Sequence, residues 1–289
     1  MSQIVRNVTR VIDSVSTLEG GGFPVRRPFP VAGLSHIDPF LLLDHLGPVT
    51  WAPRQAIGAP DHPHRGFETV TYLLSGAMQH KDSAGHQGKL TPGDVQWMTA
   101  GAGVVHSEMP ETRFYETGGV MHGFQIWVNL PARDKMIAPH YQEIPAAQIP
   151  QWRSADGTAT VRVIAGEHGG VRAAIATRTP IMLMHAKLKA GASVSIEVPA
   201  DMRAMCYVID GAFAFGANHE RGNEGQLALF EAEGTVAAQA LRDGQFLLLA
   251  GQPLNEPVAR YGPFVMNTHA EIRQAIADHN EGRLGTISV

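Results

Sequence analysis

Residues 62–70 of this chain read His-Pro-His-Arg-Gly-Phe-Glu-Thr-Val, and residues 106–108 read His-Ser-Glu. Residues i and i+2 of a β-strand point to the same side of a sheet, so each stretch can present two side chains at one point. Two such strands would together supply three imidazoles and one carboxylate, from His62, His64, His106 and Glu108. These donors suit a divalent transition metal that keeps open coordination positions. The pattern therefore predicts a metal site inside a β-structure.

Short apolar runs bounded by turn residues make up much of the remaining sequence. Residues 69–74 read Thr-Val-Thr-Tyr-Leu-Leu and end at Ser-Gly, and similar runs occupy 123–129, 161–166 and 245–249. Many short strands at such spacing indicate β-sandwiches or barrels, so the predicted fold class is all-β. One helix is expected near the end of the chain, where residues 268–271 read Thr-His-Ala-Glu and form a capping-box pattern.

A faint internal repeat divides the chain. Residues 72–77, Tyr-Leu-Leu-Ser-Gly-Ala, match residues 207–212, Tyr-Val-Ile-Asp-Gly-Ala, and each pattern predicts a strand followed by a tight turn. We therefore predict an N-terminal barrel over 1–132, an irregular connector over 133–157, and a C-terminal barrel over 158–289 that ends in the helix. At the same offset, the counterparts of His62, His64 and Glu68 are Glu197, Pro199 and Arg203. The second copy lacks the ligand types, so we expect one metal per chain, in the N-terminal barrel.

Composition excludes several classes of protein. The 289 residues are 44% hydrophobic and 17% charged, which is typical of a globular chain with a sizeable core. A net charge of −4 and the lack of a long basic run argue against direct binding to nucleic acid. The single cysteine, Cys206, cannot form an internal disulfide, which fits a reducing compartment. We find neither a signal-peptide pattern nor an apolar run of about 18 residues, and expect a cytoplasmic protein without membrane contact.

At residues 62–70 the sequence resembles the first motif of the cupin superfamily. Residues 90–101, running on to 106–110, resemble the second motif in the form used by pirins. Residues 122–131, His-Gly-Phe-Gln-Ile-Trp-Val-Asn-Leu-Pro, and 262–268, Gly-Pro-Phe-Val-Met-Asn-Thr, are also similar to the pirin pattern. The resemblance runs nearly end to end, and its motifs together are far more specific than an isolated His-x-His.

The resemblance implies a bicupin, that is, two double-stranded β-helix barrels, with one non-haem metal in the first. It implies His62, His64, His106 and Glu108 as ligands. Fe(II) is the usual metal of the family, and such sites also accept manganese, nickel, cobalt or copper. Similar bacterial members are associated with quercetin 2,3-dioxygenase activity, which opens the heterocycle of a flavonol with O2 and releases carbon monoxide. A small aromatic substrate such as a flavonol is therefore expected.

Three further residues near these motifs are open to more than one interpretation. Glu68 shares strand parity with His62 and His64, and is either a fifth ligand or an acceptor that orients a histidine. His122 and Gln125 are candidates for the pocket lining, but their opposite parity lets only one face the cavity unless a bulge intervenes. We expect the other histidines, including His36, His80, His86, His219 and His269, to lie at the surface or in turns.

A second function fits the same four ligands. Other pirin-like proteins resemble regulators, so the alternative is a non-catalytic, iron-dependent redox sensor that binds a protein partner. The shape of the cavity discriminates between the two. A roomy apolar mouth above the metal favours the enzyme, whereas a narrow mouth beneath an extended exposed patch favours the binding protein.

Overall fold

The computed structural model describes residues 4–287, and strands dominate them. The strands are β1 Val8–Asp13, β2 Val15–Glu19, β3 Phe23–Phe29, β4 Phe40–Trp51, β5 Ala59–His64, β6 Phe67–Ser75, β7 Met78–Asp82, β8 Gln87–Leu90, β9 Val95–Thr99, β10 Val104–Pro110, β11 Gly119–Asn129, β12 His140–Ile144, β13 Gln151–Arg153, β14 Ala159–Ala165, β15 Glu167–His168, β16 Val171–Arg172, β17 Ile181–Leu188, β18 Ser193–Glu197, β19 Arg203–Phe215, β20 Glu220–Asn223, β21 Gln226–Phe230, β22 Thr235–Gly251, β23 Ala259–Tyr261 and β24 Phe264–Met266. The helices are α1 Thr112–Thr117 and α2 His269–Asn280, with 3-10 turns at Ala132–Asp134 and Ala146–Gln148. The predicted all-β class is confirmed.

The chain divides into two compact units. The N-terminal unit comprises residues 16–36 and 40–146 together with the described residues from 254 onward. The C-terminal unit comprises residues 37–39 and 147–253 together with the described residues before 16.

This division differs at both ends from the predicted linear boundaries of 1–132, 133–157 and 158–289. Strand β1 pairs antiparallel with β21, so the start of the chain lies in the C-terminal unit. Helix α2 buries Ile272 and Ala275 against Val105 and Phe264, so the end of the chain lies in the N-terminal unit. A linear repeat cannot reveal such exchanges, because strand pairing and helix docking depend on contacts between distant segments.

Two sheets build the N-terminal unit around the predicted site. One has the order β12-β9-β6-β11-β4-β3-β2, and the other has the order β5-β10-β7-β8. The antiparallel pairing of β5 with β10 places His62 directly opposite His106. The two ligand-type stretches of the sequence are thus neighbouring strands of one sheet.

The C-terminal unit contains the second copy of the repeat. Its main sheet has the order β1-β21-β19-β22-β17-β14-β13, and β18 and β20 pair with members of this path. Strand β6 carries Tyr72 and β19 carries Tyr207. The glycine four residues later is Gly76, just after β6, or Gly211, within β19, and its φ is 91° or 82°. Glycine adopts such positive φ angles without a steric penalty, so the repeat reflects two equivalent backbone positions.

The interior of the C-terminal unit is apolar where the other unit carries imidazoles. On β18, Ile196 is fully buried in the hydrophobic core, and Val198 just after the strand is buried there too, whereas Glu197 between them is exposed. The carboxylate that corresponds to His62 in the repeat therefore points away from the core. The aliphatic neighbours of Glu197 fill this interior.

Helix α2 begins as the sequence predicts. The Thr268 hydroxyl accepts a hydrogen bond from the backbone N–H of Glu271 at 3.2 Å, and the Glu271 carboxylate accepts one from the Thr268 N–H at 2.8 Å. This reciprocal capping box satisfies two backbone donors at the helix start, and the prediction is confirmed. Helix α1 was not predicted, because its six residues are too few to show a helical period and none of them is buried. Within residues 4–287, neither helix has the length and apolar character needed to span a bilayer.

Candidate metal centre

Three imidazoles converge at one point of the N-terminal unit. Ring nitrogens of His62, His64 and His106 lie within 4.8 Å of one another. Among residues 4–287, these three side chains are the single cluster of at least three potential metal ligands. The His62 and His106 rings are 4.4 Å apart between centroids, and the His64 and His106 rings are 4.9 Å apart. The spacing of i, i+2 on β5 and the register of β5 with β10 produce this convergence.

Backbone carbonyls fix the tautomers of the β5 histidines. Nδ1 of His62 lies 2.7 Å from the carbonyl oxygen of Pro60, and Nδ1 of His64 lies 3.4 Å from that of Pro263. A carbonyl only accepts, so each Nδ1 carries a proton, and the neutral form of each ring presents its Nε2 lone pair. The two Nε2 atoms are 3.1 Å apart. Two nitrogens bound at right angles to one ion at about 2.1 Å would be separated by about 3 Å, so the pair fits a shared cation.

His106 provides an independent sign of a missing partner. Its side chain is fully buried, and neither ring nitrogen has a hydrogen-bond partner. A buried polar group left unpaired costs about 1–3 kcal/mol, and a bound cation would remove that cost. Burial, followed by the neighbouring imidazoles, lowers the pKa of His106 and of His64 well below the ordinary value. Both rings are therefore neutral near pH 7, which is the form that binds a metal.

Glu108 lines the same cavity but lies outside the three-histidine cluster. The pairing of β10 with β5 slips between His106 and Glu108, so Glu108 is opposite Ala59. Its Oε1 accepts a hydrogen bond from the Thr71 hydroxyl at 2.9 Å, and burial raises its pKa. The Thr71 oxygen also lies 2.8 Å from Oε1 of Gln125. One hydroxyl proton serves one acceptor, so a turned Gln125 amide gives a continuous chain from Gln125 through Thr71 to Glu108.

Glu68 does not join the histidines. Strand β5 ends at His64 and β6 begins at Phe67, and Gly66 between them has a φ of 87°. Strand parity does not carry across such a turn, so the predicted alignment of Glu68 with the β5 histidines is not observed. Instead Oε1 of Glu68 accepts a hydrogen bond from the Thr99 hydroxyl at 2.6 Å. The direct-ligand interpretation thus has no support in the geometry, and the second role stays a prediction.

Of the two pocket candidates on β11, one lines the cavity and the other does not. Gln125 lines the cavity beside Glu108. His122 instead faces His45, with 2.7 Å between the two Nε2 atoms. The pairing of β11 with β6 shifts register between His122 and Gly123, so a bulge is present, but it does not turn His122 into the cavity.

The expectation that His80 is a surface residue is wrong. Only 2% of His80 is exposed, and its ring stacks on Tyr141 with 5.4 Å between centroids. Its Nε2 lies 3.3 Å from a carboxylate oxygen of Glu143, and its position on β7 is opposite Glu108. The polar sequence of β7, Met-Gln-His-Lys-Asp, is typical of an exposed hairpin and gave no sign that one of its faces is covered.

A cavity of about 520 Å³ is lined by His62 and His64. Its apolar wall consists of Phe23, Leu42, Leu46, Met78 and Trp127, and its polar wall includes Asp44 and Arg260. Ligand pockets commonly have volumes of about 300–1,000 Å³, so the space admits a flat tricyclic molecule. Sequence reasoning missed these residues. Trp127 alone carried a usable signal, because it lies two positions after Gln125 on the same strand face.

The two buried carboxylates can be compared directly by amide substitution. We expect Glu68→Gln to change metal affinity by less than about 10-fold, because an amide oxygen can still accept from Thr99. We expect Glu108→Gln to weaken metal binding by about 10–100-fold or more, because it removes a negative charge from the cavity. Isothermal titration calorimetry with Ni(II) measures the metal affinity of both variants. Equal losses of metal affinity in the two variants, or a larger loss in Glu68→Gln, would contradict the prediction that Glu108 rather than Glu68 is the ligand.

Comparison with known proteins identifies the family. The family model for pirin matches residues 22–128, and the model for the pirin C-terminal cupin domain matches residues 183–285. The chain belongs to the pirin family. It therefore has the bicupin fold that the motifs predict.

Pirin relatives resemble the chain over nearly its full length. A pirin-like protein of Solanum lycopersicum is 44% identical over 270 residues, which cover 92% of this chain and 89% of that protein. Pirin of Homo sapiens is 42% identical over 285 residues, with coverages of 97% and 94%. The solved structure of a quercetin 2,3-dioxygenase from Acinetobacter baumannii has a TM-score of 0.93 at 40% identity and covers 98% of this chain and 99% of that chain.

Proposed function

We propose that this pirin is a metal-dependent dioxygenase that cleaves flavonols. One observation carries the proposal: three imidazoles converge at one point, and two of them, His62 and His64, line a largely apolar cavity that is large enough for a flat tricyclic ligand. The quercetin 2,3-dioxygenase of Acinetobacter baumannii, which shares the fold and 40% of the sequence, supports the same reaction class.

His62, His64, His106 and Glu108 are the residues we propose as ligands, with Fe(II) as the metal. The unpaired ring nitrogens of His106 and the two facing Nε2 atoms support a cation at the imidazoles. A bound divalent metal supplies Lewis-acid chemistry toward a flavonol oxygen and a template for O2. Three neutral donors and one carboxylate leave such an ion with a net positive charge, which favours an anionic flavonol oxygen.

The remaining residues of the site position and shield the substrate. The apolar wall excludes water from the flavonol rings, which limits competing hydrolysis and strengthens polar contacts. Trp127 forms part of the cavity wall that a flat ligand would contact. Thr71 holds Glu108 through a 2.9 Å hydrogen bond and so fixes the direction of the carboxylate. In the overall reaction, flavonol and O2 give a ring-opened ester and carbon monoxide.

The test is turnover by protein whose iron content has been measured. We expect iron-loaded protein incubated with quercetin and O2 to lose the flavonol absorbance and to release carbon monoxide in equal amount. The same protein without O2, and the metal-free protein with O2, are the controls. Full iron occupancy without oxygen-dependent loss of quercetin would defeat the proposal. The alternative function, an iron-dependent redox sensor, would then be the better supported one. The next measurement would compare the affinities of the ferrous and ferric protein for a protein partner.

A further inference from the structure

One cationic side chain in the cavity wall has no acidic partner. Arg260 lies on β23 and lines the same cavity as His62 and His64. Its guanidinium lies 4.7 Å from the centroid of the Trp127 ring, and its one hydrogen bond is a long one of 3.3 Å to the carbonyl oxygen of Leu41. Within residues 4–287 Arg260 forms no ion pair. A half-buried guanidinium therefore faces the cavity with most of its five N–H donors unused.

Two acidic groups of the same wall are paired with another arginine. Arg27 donates to both carboxylate oxygens of Asp44, at 2.7 and 2.6 Å, and also pairs with Glu19. Arg27, Glu19 and Asp44 all contribute to the electrostatic surroundings of Arg260, but neither carboxylate forms an ion pair with it. Arg27 therefore occupies the carboxylate of Asp44, and Arg260 keeps most of its N–H donors free for a group that enters the cavity.

Trp127 sets the distance between Arg260 and the imidazoles. The Trp127 ring contacts the His64 ring edge-to-face at 5.2 Å and carries the Arg260 guanidinium at 4.7 Å. A flat ligand with its chelating oxygens at the imidazoles would extend along this indole. The group that meets Arg260 therefore lies on the far part of the aromatic ligand rather than on its metal-binding end.

We propose that Arg260 is an anion-recognition residue, and that the substrate is an aromatic molecule with a second acidic group, such as a carboxylate, away from its metal-binding oxygens. The planar guanidinium matches a carboxylate with two parallel hydrogen bonds. Stacking on Trp127 holds the guanidinium in place before the ligand arrives, which reduces the entropic cost of the contact. This proposal rests on the proposed function in one respect: it assumes that a metal at the imidazoles binds one end of the ligand.

The test compares two ligands that share the chelating end. We would titrate Ni(II)-loaded protein without O2 with 3-hydroxyflavone-4′-carboxylate and with its 4′-carboxamide, and follow flavonol fluorescence. We expect wild type to bind the carboxylate at least about 10-fold more tightly than the amide, with a preference that falls as salt rises. Arg260→Gln should reduce this preference to about 1 while the affinity for the amide stays within about 3-fold. Arg260→Lys should retain part of the preference, because it keeps the charge but not the planar fork.

The control variant is Arg133→Gln, which removes an exposed arginine of the same unit. It should keep the full preference for the carboxylate. A wild type that does not distinguish the ligands would overturn the proposal. An Arg260→Gln variant that loses affinity for both ligands by the same factor, and so keeps the preference, would also overturn it, because that result indicates a structural role. Since binding is measured without O2, absence of flavonol turnover defeats the dioxygenase proposal and leaves this result untouched. Flavonol turnover by a protein that does not prefer the carboxylate supports the dioxygenase proposal and defeats the proposal for Arg260.

Discussion

We expect His106→Ala to lose its metal and all flavonol oxidation while it keeps the parent fold. His106 contributes one of the three converging imidazoles, and the two that remain cannot surround an ion. Loss of a residue that merely orients a ligand typically costs about 10–100-fold in metal affinity, so direct removal of a ligand should cost more. The strands do not depend on this ring, because the cores consist of aliphatic and aromatic side chains such as Tyr72 and Val70. Ni(II) titration, far-ultraviolet circular dichroism and carbon monoxide release measure the three effects.

The matched control for His106→Ala is His219→Asn. His219 is an exposed histidine of the C-terminal unit with a φ of 51°, a conformation that asparagine tolerates well. This variant should bind metal and turn over like wild type. If His106→Ala retained stoichiometric, tightly bound metal, the ligand assignment would be wrong. If His106→Ala lost its strand signal as well as its metal, the site would be shown to support the fold.

We expect Lys135→Met to destabilise the protein by about 2–4 kcal/mol. The Lys135 ammonium is 1% exposed and donates to the carbonyl oxygens of Gly66 and Val265, at 2.7 and 3.1 Å, and to Oδ1 of Asn129, at 2.6 Å. Methionine fills a similar volume but leaves three buried acceptors without this donor, at about 1–3 kcal/mol each before relaxation. Gly66 belongs to the turn that follows His64, so metal affinity should fall as well. Urea unfolding and Ni(II) titration measure the two effects.

Lys187→Met, at an exposed position of β17, is the control and should change stability by less than about 0.5 kcal/mol. A loss of stability in Lys135→Met no larger than that of the control would show that the three hydrogen bonds contribute little.

The same lysine predicts a pH dependence. Burial lowers the pKa of Lys135 from its ordinary 10.5 to about 8. Between pH 8 and 10.5 the unfolded chain then binds more protons than the folded chain, so this group makes stability rise with pH in that window. Below pH 8 both states are protonated and the contribution is constant. The stability difference between wild type and Lys135→Met should therefore be larger at pH 9.5 than at pH 7. A difference that stays constant would contradict the lowered pKa.

The sequence by itself determined the features that depend on local spacing. Alternating apolar runs predicted the all-β class, and Thr268 and Glu271 predicted the capping box, because strand and helix periods act within a few residues. The i, i+2 pairs predicted that His62, His64 and His106 would meet, and the structure brings them together. Of the two pocket candidates, Gln125 lines the cavity and His122 does not.

Tertiary structure alone decided the features that depend on pairing between distant segments. The turn at Gly66 broke the parity that linked Glu68 to the histidines. Tyr141, on a strand of the other sheet of this unit, stacks on His80 and helps to bury it. Arg260 reached the cavity because the end of the chain folds back onto the N-terminal unit, which no linear boundary could show. The physical reason is common to all three: spacing along a strand fixes the direction of a side chain, but the neighbours it meets depend on which remote strand or helix covers that face.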